Sequence, residues 1–317
     1  MKSKIILASV LMLSMGLSSF AQTLNEVIET YNKAGAYFNE GKYADALKTY
    51  EQTLKICTQV GDSALEFQIK VEQTIPLTYY NIGKGFFDAK NYKEAITNFE
   101  LSIKFADKVG DTKTTDKSRA YLAGIYISFG NNDYKNDTLD AAIEKFNIAL
   151  SYKPGYYKAY YGLGLVYKKQ ENLPLMKESL DKAISMAGDD AKTIGNAKDA
   201  MTSAYQKAGA VALQASKYSV AVENLLASQV YNNTEPRTYF YLAIAYNGLS
   251  KWDDAIAAAN KALELQTEDK SDIYFELGNA NEKKGDAAAA CDNYKKVTAG
   301  NNVAAAKYQI EQVLKCK

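Results

Sequence analysis

The sequence predicts an all-α protein: an α-solenoid (superhelix) of about seven stacked helical hairpins, closed by a C-terminal capping helix. Two observations carry this. Residues 238–265 read TYFYLAIAYNGLSKWDDAIAAANKALEL, and residues 79–105 read YYNIGKGFFDAKNYKEAITNFELSIKF. Both hold an aromatic, a Leu or Ile beside a small residue, a second aromatic, an aromatic-x-x-Ala step and then a second amphipathic stretch, which two helices of about a dozen residues and a tight turn explain. The chain also has only 4 prolines in 317 residues. That scarcity suits long helices, because an internal proline removes a hydrogen bond and clashes with the preceding turn.

The elements follow in chain order. Lys2 and Lys4 precede an apolar run from Ile5 to Leu17, and then come Ser18, Ser19, Phe20 and Ala21. A basic start, a short apolar core and small residues at the −3 and −1 positions describe a secretory signal over 1–21, cleaved after Ala21. The run is short for a membrane anchor. The mature chain, 22–317, is therefore expected to be one solenoid domain without an integral membrane segment, exported to the periplasm or the outside of the cell.

The small residue near the start of each second helix acts as a ruler. It falls at Ala46, Ala95, Ala142, Met176, Ala221, Ala255 and Ala290, with three intervals of 34 or 35 residues. The longer intervals need extra residues. Gly61-Asp62 and Gly110-Asp111 read as turns between lengthened helices, residues 188–193 as added length, and NNDYKNDTLD at 131–140 as an inserted loop inside the third hairpin. Tyr79, Ile82, Gly83 and Phe86 then share one face, answered by Tyr92, Ala95 and Phe99. Tyr160, Leu163, Gly164 and Tyr167 repeat the pattern, as do Tyr239, Leu242, Ala243 and Tyr246. A glycine or alanine lets two helices cross closely, and an aromatic fills the cleft beside it. After the seventh hairpin, Val303, Ala306, Ile310, Val313 and Leu314 mark an amphipathic capping helix at about 301–316.

These residues resemble the tetratricopeptide repeat (TPR) family, of the exported bacterial type, over nearly all of residues 24–317. The resemblance implies a right-handed superhelix whose first helices line a concave face. Carried over by register, the inward slots hold Tyr31, Phe38, Tyr80, Lys84, Phe87, Lys158, Tyr161, Lys168, Lys169, Phe240, Ile244 and Phe275, with Arg237 alongside. Aromatics with scattered cations suit an extended peptide bearing acidic groups, or a sugar that stacks on rings. The family's clamp for a C-terminal acidic tail needs Lys and Asn at set groove slots, which Tyr80 and Lys84 do not reproduce.

Catalytic chemistry finds little to stand on. There is no histidine, which removes the commonest general base and metal ligand. Asp133, Asp137 and Asp140 lack the glycine and distal glutamate of a hand-type calcium loop. With 38 basic and 37 acidic side chains, the net charge of +1 offers no bulk attraction to nucleic acid. Of the three cysteines, Cys291 and Cys316 are the pair that a disulfide could join, and export would permit the bond. The expectation is a non-enzymatic scaffold or adaptor of the bacterial envelope, without cofactor or metal, that binds a peptide or protein segment in its groove. The alternative is binding of carbohydrate or cell-wall glycan through the groove tyrosines.

Overall fold

The computed structural model describes residues 23–317; the expected signal at 1–21 lies outside them. Among the described residues every regular element is helical. The chain divides into two compact units. The first holds the described residues up to Asp133 together with Glu144–Gly155, and the second holds Tyr134–Ile143 together with Tyr156–Lys317.

The helices of the first unit are α1 (residues 23–39), α2 (Tyr43–Val60), α3 (Leu65–Asp88), α4 (Tyr92–Val109), most of α5 (Thr112–Lys135) and the later turns of α6 (Leu139–Tyr152). The second unit contains α7 (Tyr157–Lys169), α8 (Leu173–Met186), α9 (Ala191–Gln214), α10 (Tyr218–Tyr231), α11 (Pro236–Gly248), α12 (Trp252–Leu265), α13 (Ser271–Lys284), α14 (Ala287–Tyr294) and α15 (Val303–Tyr308). Consecutive helices pair as hairpins, and within each unit the next hairpin packs on the last. Local chemistry sets many of the starts. The side chains of Asn172, Asp190 and Asp286 each accept a hydrogen bond from a first-turn amide, satisfying one of the orphan donors there. Pro236 opens α11, where its missing N–H has no partner to lose.

One register recurs in all seven hairpins. The crossing residues are Ala34, Gly83, Gly130, Gly164, Gly209, Ala243 and Gly278, and the residue 16 positions later answers: Tyr50, Phe99, Phe146, Leu180, Leu225, Ala259 and Tyr294. At the glycines the fit leaves no room for a methyl group. A Cβ at Gly209 would sit 2.7 Å from the Leu225 side chain, and one at Gly278 would sit 2.6 Å from the Tyr294 ring. Phe99, Phe146, Leu180, Leu225 and Tyr294 are in consequence among the most deeply buried large side chains. The core is thus a series of small clusters, each spanning neighbouring hairpins, rather than one central mass.

The turn inside each hairpin is equally regular. Its left-handed residue is Gly41, Lys90, Asp137, Glu171, Ser216, Ser250 or Gly285, always seven positions after the crossing residue. In six of these turns, the next amide donates back to the carbonyl five residues earlier, as in Asn91 to Phe86 (2.8 Å) and Lys251 to Tyr246 (2.9 Å). Five of the seven positions carry a side chain in a conformation that disfavours one. Ser250→Gly is therefore expected to raise stability by roughly 0.5–1 kcal/mol, and Gly285→Ala to lower it by about 1 kcal/mol. Urea denaturation followed by circular dichroism reads both, and a neutral or destabilising Ser250→Gly would refute the strain argument.

Three expectations need correction. The stretch at 131–140 is not an inserted loop: α5 continues through Lys135, and the break is confined to residues 136–138. Polar Asn131 and Asn132 are weak helix formers, but Gly130 beneath them is locked against Phe146, and packing overrides propensity. The added length near 188–193 likewise belongs mostly to α9, which runs for 24 residues. The capping helix is shorter than 301–316. Its α-helical part is Val303–Tyr308, and Gln309–Val313 winds as a wider π-helical turn. Ala306 is buried and Ile310 and Leu314 pack on the last hairpin, whereas Val303 and Val313 are exposed.

Cys291 and Cys316 are joined by a disulfide, their Cα atoms 5.8 Å apart. A simple fold-back would carry Cys316 past its partner, but α14 stops at Tyr294 and the wide turn shortens the return, ending with the Cys316 amide donating to the Ile310 carbonyl at 2.9 Å. Cys57 is buried and unpaired.

Candidate functional site

The groove residues expected from register lie in both units, and most are half-buried. In the first unit the rings tile one another. Tyr31 packs on Tyr50 and Phe67, with centroids 6.4 and 5.4 Å away, and Phe38 on Tyr43 at 5.3 Å. Tyr80 lies against Phe99 and Tyr121, and Phe87 meets Tyr121 at 5.1 Å. Burial, followed by a hydrogen bond with Tyr121, pushes the Tyr80 phenol up to about 12. Lys84 is exposed and paired with Asp88 one turn on, at 3.0 Å. Between α3 and α5 these rings leave only a hollow of about 320 Å³, lined by Phe87, Lys117, Ala120, Tyr121 and Gly124.

In the second unit, Tyr161 packs on the cluster around Met176 and Leu180. Phe240 rests on Tyr241 (5.7 Å) and Phe275 on Tyr294 (5.8 Å), while Ile244 is half-buried. Lys158 and Arg237 are exposed. Of the expected residues, Lys168 and Lys169 line a concavity inside the second unit.

That concavity measures about 820 Å³ and is built by the end of α7, the turn after it, α9 and the start of α10. Its existence follows from small side chains. Where α3 and α5 oppose aromatic rings, α9 faces α7 with Ala204, Ala208 and Ala212, and Ala215 follows at its C-cap, all too short to fill the space beside Leu165. Val211 and Val220 complete an apolar floor and remain 55% and 45% exposed. Around it stand the ammonium groups of Lys168, Lys169, Lys207 and Lys217, against the one carboxylate of Glu171.

These cations differ in their partners. Lys207 meets Glu171 at 2.6 Å, and that hydrogen bond, followed by the lysine's charge, holds the Glu171 carboxyl below its ordinary range. Lys169 reaches Asp137 at 2.6 Å and lies over the Tyr134 ring. Lys168 is half-buried and donates to the Ser203 hydroxyl at 2.7 Å, and burial lowers its pKa below that of an ordinary lysine. Lys217 has no carboxylate partner within ion-pair distance among the described residues. Sequence reasoning missed Lys207, Val211, Lys217, Val220 and Asn224 because it searched only the groove-facing slots of first helices. The available signal was the alanine-rich run AGAVALQA at 208–215, where other hairpins carry rings. No group of three or more Cys, Asp or Glu side chains among the described residues is placed to hold a metal, and no described helix is long and apolar enough to cross a membrane.

Comparison with known proteins places these hairpins. Family models described as tetratricopeptide repeat match residues 240–305 and 157–190. A curated relative, the tetratricopeptide repeat domain-containing protein PYG7, chloroplastic, of Arabidopsis thaliana, is 33% identical over 63 residues, which are 20% of this chain and 21% of that protein. The chain thus spans about a fifth of the length of that relative. Among solved structures, MamA from Desulfovibrio magneticus RS-1 is 20% identical, with 56% of this chain and 93% of that chain covered at a TM-score of 0.36. YrrB, described as a TPR protein with an unusual peptide-binding site, is 19% identical, with 60% and 87% covered at a TM-score of 0.36. The hairpins within residues 157–190 and 240–305 are thus tetratricopeptide repeats, and the other described hairpins keep the same crossing register and the same left-handed turn position.

Proposed function

We propose that this protein is a non-catalytic interaction scaffold that holds a segment of another protein, and that it works in the bacterial envelope after export. The single observation that carries the reading is the open groove of α7, α9 and α10, an apolar floor rimmed by cations on rigid helices. Pre-organised walls leave the ligand's own ordering as the main cost of binding, which suits a scaffold. YrrB, a protein of the same repeat class, is described as binding peptide at an unusual site. Carbohydrate binding has less support, because stacking needs a free ring face and Tyr80 and Phe240 lie against neighbouring rings.

Export is inferred from the basic-then-apolar pattern of residues 1–21. The Cys291–Cys316 disulfide supports it, since such bonds persist in oxidising compartments. A photo-crosslinking amino acid at Val211 tests both parts in intact cells. The expected result is a discrete protein adduct on a chain that begins at Gln22 by mass spectrometry and fractionates with the periplasm or medium, with no adduct from the same group at exposed Gln52. Absence of any adduct at Val211 would overturn the scaffold reading, and an unprocessed cytoplasmic chain would overturn the location.

A further inference from the structure

The geometry points to the occupant of this groove: we propose an acidic peptide segment that presses an aliphatic or aromatic side chain onto the alanine floor between α7 and α9. The inference rests on the scaffold reading and adds the chemistry of the ligand.

Charge and shape argue for it together. Of the four rim lysines, Lys207 and Lys169 already face carboxylates, at Glu171 and Asp137. Lys168 and Lys217 do not. Lys168 is half-buried with a hydroxyl as its hydrogen-bond partner, so its charge has lost water without gaining a counter-charge. A partly desolvated ammonium gains more from an incoming carboxylate than a free surface lysine does, because part of its dehydration has already occurred in the folded chain. A basic segment would meet uncompensated repulsion at the same place. Beneath the rim, Val211 and Val220 expose branched aliphatic surface in the floor of a concavity, where a single inserted side chain would cover both. Ser203 and Asn224 stand at the edges with polar groups that a peptide backbone can meet.

Two other occupants fit less well. A fatty acid would match the carboxylate and the apolar floor, but tight sites for small molecules enclose most of the ligand surface. Here the floor valines stay about half exposed, so the site is an open groove that suits a passing chain. Single-stranded nucleic acid would match the lysines, yet it needs aromatic faces on which bases stack, and Tyr134 is the only ring in the lining.

The test uses the purified protein and fluorescein-labelled synthetic hexapeptides read by fluorescence anisotropy. The probe alternates Glu with Leu. One control replaces Glu by Lys, and another replaces Leu by Gly. Expected is saturable binding of the Glu/Leu peptide, weakened by added salt, with at least about tenfold lower affinity for either control. Lys168→Glu combined with Lys217→Glu is expected to weaken the probe at least about tenfold. Ala208→Phe, which fills the groove while keeping every charge, is expected to do the same. Lys48→Glu with Lys104→Glu, on exposed sites of the first unit, should leave it unchanged. Circular dichroism melts of the variants establish that they are folded. Equal or better binding of the Lys/Leu peptide, indifference to both groove variants, or displacement of the probe by laurate or a thymidine oligonucleotide at lower concentration than by unlabelled peptide would overturn the proposal. An adduct at Val211 formed with a neutral or basic partner segment would sink the ligand class while leaving the scaffold reading intact. Failure of every peptide together with no adduct at all would remove both.

Discussion

Phe99→Ala is expected to destabilise the protein by about 3–5 kcal/mol, the usual range for emptying a packed aromatic site. Phe99 is fully buried and does three jobs at once. Its ring fills the space left by Gly83 on α3, with ring carbons 3.0 and 3.1 Å from where a Cβ would stand. It stacks on Tyr121 of α5, with centroids 4.9 Å apart. It also supports Tyr80 at 5.9 Å. Truncation therefore opens a cavity that touches α3, α4 and α5 together, and helices pinned on both sides cannot collapse into it. Because each hairpin leans only on its neighbours, the loss should appear as early unfolding of the first unit rather than as a uniform shift. Hydrogen exchange resolved along the chain, alongside urea denaturation, reads this directly. A loss below about 1 kcal/mol, or exchange that rises equally in α12 and α13, would contradict the account of a locally carried core.

The second large effect concerns the C-terminus. Cys316→Ser is expected to remove about 3 kcal/mol from the last hairpin and its cap, following the loop-closure argument for a cross-link that spans 25 residues. Little else holds this segment. Ala306 is its one fully buried side chain, assisted by half-buried Ile310 and Leu314 and by the Lys295 ammonium donating to the terminal Lys317 carbonyl at 2.8 Å. Without the cross-link, residues 303–317 should fray and uncover Tyr274, Phe275 and Val297. Limited proteolysis provides the measurement: cleavage after Lys307 or Lys315 should accelerate strongly in the variant and in reductant-treated wild type, while α9 to α12 stay protected. Equal cleavage rates with and without the bond would show that packing alone secures the end.

Much of the architecture was legible in advance, and the reasons are physical. A close helix crossing admits only small residues, so Gly83, Gly164 and Ala243 announce themselves, and the residues that answer them, Phe99, Leu180 and Ala259, lie at a constant distance along the chain. The hairpin turn was less visible. Glycine marks it at Gly41 and Gly285, but Lys90, Asp137, Glu171, Ser216 and Ser250 adopt the same left-handed backbone because the turn is closed by main-chain hydrogen bonds. Residues 131–135 read as loop because Asn and Asp favour turns, yet the contact of Gly130 with Phe146 keeps the helix going. The groove was the least legible feature. Its floor is made by what is missing from Ala204, Ala208 and Ala212, so its signal is an alanine-rich run at 208–215 rather than a motif of functional side chains. Lys168 and Lys169 emerged from register, whereas Lys207 and Lys217 needed three dimensions.

The main-chain closure of six of these turns has a further consequence. Since the backbone alone completes the bend, the side chain at its tip is released from structural duty and can be rewritten without unmaking the hairpin. Glu171 illustrates the freedom: its carboxylate reaches sideways to Lys207 and trims the charge around the groove. The protein thus keeps two separate alphabets, one that folds it and one that addresses what it meets, and the second can drift toward new partners while the first stands still.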